Sequence, residues 1–187
     1  MTRDEALLLM RSRITNNNLR KHILAVEAVM KFLARELKAD EEKWGLVGIL
    51  HDLDYEETKN APEKHTLITE ELIKDKVSQE IIDAIKSHAY GFVQSTTIQA
   101  PSSPMQHAIY CADPITGLLV ACALIHPDKK LAPIDVEFVK NRMKEKRFAA
   151  GANREAIQNC TKLGMDLDRF LQISLDAMKS ISVELGL

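Results

Sequence analysis

The sequence predicts an all-α fold in a single domain. Apolar residues recur at alternating steps of four and three between positions 19 and 37, which is the period of an amphipathic helix. Only 7 glycines and 6 prolines interrupt 187 residues, and few β-branched runs alternate with polar residues as strands would. We expect one domain over residues 1–187, with a core motif at 17–125 and a C-terminal helical extension at 133–187.

The first two predicted helices lead to an adjacent histidine and aspartate. The apolar stripe indicates a helix from about Asn17 to Lys38. Asp40 is a good N-cap for a second helix that ends at about Leu53. His51 and Asp52 would then lie in its last turn.

Two shorter helices and a long loop should follow. We expect helices at about Glu63–Lys74, after a polar loop, and at Ser78–His88. The segment Tyr90–Ser103 is rich in glycine, threonine, serine and proline, which is typical of a loop, and it could overhang a site. Tyr90 and Phe92 could line a pocket, although packing within the loop is the simpler interpretation.

The second half of the chain is also predicted to be helical. Ser103 as N-cap and Pro104 at the first position open a long apolar helix to about Ile125, in which Pro114 should cause a kink. Three more helices are expected after residue 133, separated near residues 148–152 and 164–165.

Charge and cysteine content exclude several classes of protein. A net charge of −2 and a pI near 6.3 provide no basic field for a nucleic acid polymer or a membrane surface, so neither is an expected partner. The chain has three cysteines, Cys111, Cys122 and Cys160. Their odd number and the lack of CxxC spacing predict reduced, buried thiols and a cytoplasmic protein. The opening residues contain an apolar stretch too short for a signal sequence. The oligomeric state is left open.

Four histidines and two aspartates form the main candidate site: His22, His51, Asp52, His65, His88 and Asp113. The histidines lie on or beside core-facing sides of predicted helices. A single such histidine usually hydrogen-bonds to a carbonyl oxygen, but four together favour a shared ligand. Asp113 lies in an apolar helix, where a buried carboxylate needs a positive charge. Imidazole and carboxylate together suit Fe, Mn, Zn, Co or Ni, with Mg also compatible, so a metal centre built by several helices is predicted.

The order of these residues resembles a known family. His22, then His51-Asp52, then Asp113 is similar to the H…HD…D signature of the HD-domain (HDIG-type) metal-dependent phosphohydrolases over about residues 19–119. The motif here reads His51-Asp52-Leu53-Asp54, whereas the two-metal subset often has His-Asp-Ile-Gly. The segments 112–118 and 148–154 extend the similarity to small stand-alone members. The resemblance implies a helical bundle of the HD-domain type.

The resemblance also implies an activity, a cofactor and roles for the residues. We expect a metal-dependent hydrolase that cleaves a phosphate ester of a nucleotide or other small molecule through metal-activated water. One divalent ion would be held by His22, His51, Asp52 and Asp113. With a second ion, Asp52 would bridge, and the further ligands would be the extra histidines of the two-metal subset, His65 and His88.

Other residues receive more open assignments. Asp54 could orient water or protonate the leaving group, whereas Glu56 and Glu57 are better interpreted as solvated surface. The predicted phosphate-binding residues are Lys144 and Lys146, within a basic run at 140–147, and Arg154, which follows it; the other interpretation is a solvated helix face. Gly48, one turn before Asp52, indicates either an open approach for a cation or close helix packing.

Two alternatives from other functional classes stay open. One is a di-iron oxygenase on the same scaffold, and the other is a non-catalytic, metal-containing regulatory module. The sequence lacks GxxxxGK[ST] and GxGxxG motifs and a Ser-His-Asp constellation, which disfavours an ATPase, a Rossmann enzyme or a serine hydrolase. His107 and His126 fall outside the metal pattern.

Overall fold

Helices form the regular secondary structure of the computed structural model, which describes residues 1–93 and 98–187. The α-helices are α1 Arg3–Arg13, α2 Asn17–Glu36, α3 Glu41–Leu50, α4 Tyr55–Thr58, α5 Leu67–Ile73, α6 Gln79–His88, α7 Pro104–Ile125, α8 Val136–Met143, α9 Arg154–Gln158, α10 Leu167–Ser180 and α11 Ser182–Leu185. Short 3-10 helices cover Pro62–Lys64 and Asn159–Leu163. No strand occurs among the described residues, which confirms the predicted all-α class. The division into a core motif and an extension stays a prediction.

The long helix α7 lies at the centre of the bundle and contacts α2, α6 and α10. Its Ser103 N-cap forms a capping box with Gln106, as the Ser-Pro start predicts. Among the described residues it alone has the length and apolarity of a membrane span, yet 61% of its most apolar stretch is buried inside the bundle. Core packing therefore accounts for its composition. The helix continues through Pro114, and the kink stays a prediction.

Helices α2 and α3 pack closely because Gly48 has no side chain. A Cβ atom at Gly48 would lie 2.6 Å from Glu27 Cα and 2.7 Å from Glu27 N. The interpretation of Gly48 as an open approach for a cation is therefore wrong, and close helix packing is confirmed. Helix α3 ends at Leu50, so His51 is its C-cap and the chain turns immediately afterwards.

The predicted helix Glu63–Lys74 is wrong over its first four residues. A 3-10 turn at Pro62–Lys64 is followed by Thr66 in the left-handed conformation (φ +71°), and α5 begins only at Leu67. A residue outside the segment stabilises this interruption of the helix: the backbone N–H of Thr69 donates to the buried carboxylate of Asp54 over 2.9 Å. The interruption leaves His65 in a turn instead of on a helix.

Helix α1 was not predicted, although its N-terminus carries a clear signal. The Thr2 hydroxyl accepts a hydrogen bond from Glu5 N, and the Glu5 carboxylate accepts one from Thr2 N. The helix buries Ala6 and Met10 in the core, against α3.

The predictions for the C-terminal helices and the cysteines are confirmed. The expected helices after residue 133 correspond to α8, α9 with its 3-10 extension, and α10, with the short α11 in addition. The three cysteines are buried and unpaired, as expected. Within the predicted loop Tyr90–Ser103, residues 94–97 lie outside the described residues, and the flanking parts contain no helix.

Candidate metal centre

The structure brings together all six predicted ligand residues. They come from five places along the chain, which converge beside the middle of α7. The six are His22 on α2, His51 and Asp52 after α3, His65 in the turn before α5, His88 at the end of α6 and Asp113 on α7.

Asp52 lies between two groups of histidines. Its Oδ2 atom is 3.7 Å from His22 Nε2 and 3.5 Å from His51 Nε2. Its Oδ1 atom is 3.5 Å from His65 Nε2 and 3.6 Å from His88 Nε2. Each carboxylate oxygen therefore faces a different pair of imidazole nitrogens.

The first group is completed by Asp113. Its Oδ1 atom lies 3.1 Å from His22 Nε2 and 4.0 Å from His51 Nε2. One nitrogen or oxygen atom from each of His22, His51 and Asp113 lies within 4.8 Å of the others, which is the spacing of ligands around one ion. These three residues and Asp52 Oδ2 surround one candidate ion position.

In the second group, the Nε2 atoms of His65 and His88 lie 3.1 Å apart. Two bonds of about 2.1 Å at a right angle would separate their nitrogens by about 3.0 Å. The spacing therefore suits neighbouring ligands of one ion, with Asp52 Oδ1 beside them.

The histidine rings are held by hydrogen bonds at their other nitrogen. His51 Nδ1 is 2.8 Å from the carbonyl oxygen of Gly48, and His88 Nδ1 bonds to the carbonyl oxygen of Ile85. A carbonyl oxygen only accepts, so both rings carry their proton on Nδ1. Their Nε2 atoms are then directed at the centre, as in metal-bound histidines.

His22 is oriented through a hydroxyl group on the same helix as Asp113. The Thr116 hydroxyl donates to the Asp113 carbonyl oxygen over 2.9 Å and lies 3.0 Å from His22 Nδ1. Because its proton is used on the carbonyl, it accepts from the Nδ1–H group of His22. Sequence analysis missed Thr116; its position three residues after Asp113, on the same helix face, was the available signal.

The unpaired atoms of this cluster fit a bound cation. His51 is fully buried and its Nε2 atom has no hydrogen-bond partner. Burial lowers the pKa of His51 to about 4, so the ring is neutral at pH 7 and presents a lone pair. An orphaned buried acceptor is costly unless an ion or a donor meets it. The donor set of imidazole and carboxylate suits a divalent transition metal.

Both central carboxylates are ionised. Burial opposes ionisation of Asp52, but the neighbouring imidazoles of His51 and His88 hold its pKa well below the usual range. Burial also opposes ionisation of Asp113, and the hydrogen bond from His22 lowers its pKa. Conversely, burial alone would lower the pKa of His22, and the hydrogen bond to Asp113 raises it. Both carboxylates are therefore available as anionic ligands for a cation.

Asp54 lies behind His65 and does not line the cavity, so its position does not suit the predicted protonation of a leaving group. It is fully buried, and its carboxylate accepts hydrogen bonds from His65 Nδ1 over 2.7 Å and from Thr69 N over 2.9 Å. Burial opposes its ionisation, but these bonds lower its pKa. An ionised, enclosed carboxylate cannot protonate a leaving group, so we correct this assignment: Asp54 positions His65.

A cavity of about 440 Å³ opens above the ligands. Besides five of the six ligand residues, all except His51, its walls are formed by Leu19, Tyr55, Ala89, Phe92 and Gly151. Phe92 was considered for such a position, whereas Tyr55 was not. The size suits a small molecule.

The predicted phosphate-binding residues are not brought to this cavity. The Arg154 guanidinium donates to the carbonyl oxygens of Ala149 (2.5 Å), Ala152 (2.7 Å) and Phe148, which fixes the loop that carries Gly151. Both terminal nitrogens of the guanidinium are thus engaged, and Arg154 braces the loop.

The two lysines of the same assignment lie elsewhere. Lys144 Nζ bonds to Asn141 Oδ1 over 2.9 Å, and Lys146 is exposed. Glu56 and Glu57 are not simply solvated either: Glu56 accepts hydrogen bonds from Thr15 N and Asn16 N, and Glu57 pairs with Arg13.

Fold and site together define an all-helical protein with a histidine and aspartate centre able to hold a divalent metal. A family model, described as HD domain, matches residues 19–123, more than half of the chain, so the protein belongs to the HD domain family. Members of this superfamily are typically metal-dependent hydrolases that bind divalent ions. Comparison with curated proteins and with solved structures finds no match.

Proposed function

We propose that this protein is a metal-dependent phosphohydrolase that holds two divalent ions and cleaves a phosphate ester of a small molecule, nucleotides included. The observation that carries the proposal is the direction of the two carboxylate oxygens of Asp52. Oδ2 faces His22 and His51, and Oδ1 faces His65 and His88. A carboxylate that presents its two oxygens to two ligand groups is suited to bridge two ions.

The ligand sets follow from these distances. We assign His22, His51, Asp52 and Asp113 to the first ion. Asp52, His65 and His88 are assigned to the second. His51 also lies within ligand spacing of Asp52 and His88, so it stands between the two positions. Bound ions supply an activated water at neutral pH and polarise a phosphoryl oxygen. The chain itself fixes the ligand rings and presents the substrate to the centre through the adjoining cavity.

The residues beyond the ligands support this division of work. Asp54 and Thr116 keep the Nε2 atoms of His65 and His22 directed inward. Three protein ligands in the second group leave further coordination positions for water and substrate, as a catalytic centre requires. A purely structural ion would be closed off from solvent, and the cavity lined by five of the six ligand residues argues against that arrangement.

We further propose a cytoplasmic enzyme that acts on a small molecule, with neither a nucleic acid polymer nor a membrane as partner. The net charge of −2 and the burial of most of the apolar stretch of α7 support this.

The test is a screen of phosphate esters with Mn, Fe(II), Co, Ni, Zn and Mg. We expect metal-dependent release of phosphate by the wild type and a loss of at least about a hundredfold in Asp52→Ala and His51→Ala, because each removes a ligand. Asp128→Ala and His126→Ala are matched controls on residues outside the cluster and should keep wild-type activity. Phosphate release that survives Asp52→Ala would overturn the proposal.

Two further measurements separate the alternatives. Oxygen consumption with the iron-loaded protein, without phosphate release, would favour the di-iron oxygenase. Tight binding of metal with neither activity, and no exchangeable water at the ions, would favour the regulatory module.

A further inference from the structure

A second cavity of about 410 Å³ adjoins the metal centre on the side of α7. It shares His22, Phe92, Asp113 and Gly151 with the first cavity, so the two are lobes of one cleft. We call the second one the apolar lobe; its remaining walls are Pro114, Gly117, Ala121, Ala149 and Ala152. It opens directly beside two of the ligands of the first ion position.

Among the described residues, no lysine or arginine side chain lines the two lobes, and the sequence at positions 94–97, Gln-Ser-Thr-Thr, adds none. A neighbouring cavity that shares His22 and Gly117 is lined by Lys21, whose ammonium group donates to the Leu185 carbonyl oxygen over 2.8 Å. Arg154, which braces the adjoining loop, has its guanidinium bound to three carbonyl oxygens. Recognition of several phosphate groups calls for lysine or arginine donors. The cleft therefore suits a single phosphoryl group at the ions and no further anionic group.

Two glycines keep the apolar lobe wide. A Cβ atom at Gly117 or at Gly151 would have no atom within 4 Å, and neither residue has a positive φ. Gly117 lies inside α7, where glycine is less favourable than alanine because it loses more backbone entropy. Neither close packing nor backbone conformation requires glycine at these positions. The open width of the lobe is what both residues provide.

From the cleft we infer the class of substrate: a phosphate monoester whose leaving group is uncharged and apolar or aromatic, and which occupies the apolar lobe. This inference rests on the proposed function. Gly117 and Gly151 are then specificity-determining residues. In the reaction, a water oxygen forms a bond to phosphorus and the P–O bond to the leaving group breaks. The leaving oxygen takes up a proton from the water, so the products are inorganic phosphate and the alcohol.

The first test compares esters with similar alkyl leaving groups in the metal-loaded protein. We expect kcat/KM for benzyl phosphate to exceed that for glycerol 2-phosphate by about tenfold or more, because one ring fills the lobe. ATP should be a poorer substrate than either. Equal or reversed preference, with hydrolysis that still depends on Asp52, would overturn the inference and leave the proposed function intact.

The second test narrows the lobe. Gly117→Leu and Gly151→Val should each lower kcat/KM for benzyl phosphate about tenfold and lower that for glycerol 2-phosphate by a clearly smaller factor. Gly117→Ala, which adds one methyl group in open space, should have an intermediate effect. Gln172→Leu, on an exposed position of α10 outside the cleft, is the control for an added leucine.

The third test does not depend on turnover. Calorimetry should show that benzylphosphonate, whose C–P bond is not hydrolysed, binds the metal-loaded protein about tenfold more tightly than methylphosphonate. Gly151→Val should abolish this advantage, whereas Gln172→Leu should keep it. Equal affinities of the two phosphonates would overturn the inference. Failure to hydrolyse any ester would overturn the proposed function and the leaving-group assignment together.

Discussion

The Oδ1 atom of Asp54 lies 2.7 Å from Nδ1 of His65, so a buried carboxylate orients an imidazole whose other nitrogen faces Asp52. Asp54 is two residues after Asp52 in the sequence. One short turn therefore supplies both the carboxylate that lies between the two histidine groups and the carboxylate that fixes a member of one of them.

The first prediction concerns this pair. Asp54→Ala should weaken binding of one of two ions by about 10- to 100-fold, because His65 loses its orienting partner. Asp54→Asn keeps an acceptor oxygen for His65 and should therefore lose less metal affinity than Asp54→Ala. Metal titration followed by elemental analysis measures the stoichiometry, with His126→Ala as the control. Two ions retained at wild-type affinity in Asp54→Ala would contradict the role given to Asp54.

The second prediction concerns the close approach of α3 to α2. Gly48→Ala should reduce the free energy of unfolding by about 3 kcal/mol, because the added methyl group meets the backbone of Glu27. Gly45→Ala is the matched control on the same helix: its Cβ meets the side chain of Lys31, which can move aside. Urea denaturation measures both. Equal stability of the two variants would show that the helices are farther apart than described.

The third prediction distinguishes two roles for Arg154. As the brace of the loop at 148–152, it uses the planar guanidinium to reach three carbonyl oxygens, which a lysine ammonium cannot reproduce. Arg154→Lys and Arg154→Ala should therefore lower kcat/KM to a similar extent and leave inhibition by inorganic phosphate unchanged. Rescue by lysine, with weaker phosphate inhibition in the alanine variant, would instead support direct phosphate binding.

The fourth prediction concerns the thiols. Burial raises the pKa of Cys122 and of Cys160 to about 11 and also raises that of Cys111. A disulfide reagent at pH 8 should modify none of the three in the folded protein and all three after unfolding.

The same shifts set the sign of a pH effect on stability. The folded state keeps the thiol protons up to about pH 11, whereas the unfolded chain releases them near the ordinary value of 9.0. The contribution is complete below pH 9 and is lost as the pH rises through 11. Urea denaturation between pH 8 and 11 should show the decline, and Cys122→Ser should reduce it. A flat profile would contradict the burial of the thiols.

Sequence reasoning recovered the parts of the site that depend on local pattern. The apolar periods and caps located α2, α6 and α7, and the order of histidines and aspartates identified the six residues that converge. Thr2 and Glu5 show that α1 was also readable from its capping box.

Other features depend on contacts between distant segments and were not readable. The left-handed Thr66 interrupts a helical pattern because Asp54 binds the following turn. Arg154 was predicted to bind phosphate because it follows a basic run, yet both terminal nitrogens of its guanidinium donate to carbonyl oxygens of the adjoining loop. In both cases the competing partner is set by tertiary structure.

The loop that Arg154 braces carries residues that shape the cleft in a part of the chain separate from the residues that bind metal. The family match ends at residue 123, and all six ligand residues lie before that point. Ala149, Gly151 and Ala152, which close one side of the cleft, come from the chain beyond it. Changes in the segment after residue 123 can therefore alter which substrate is accepted without altering the metal ligands.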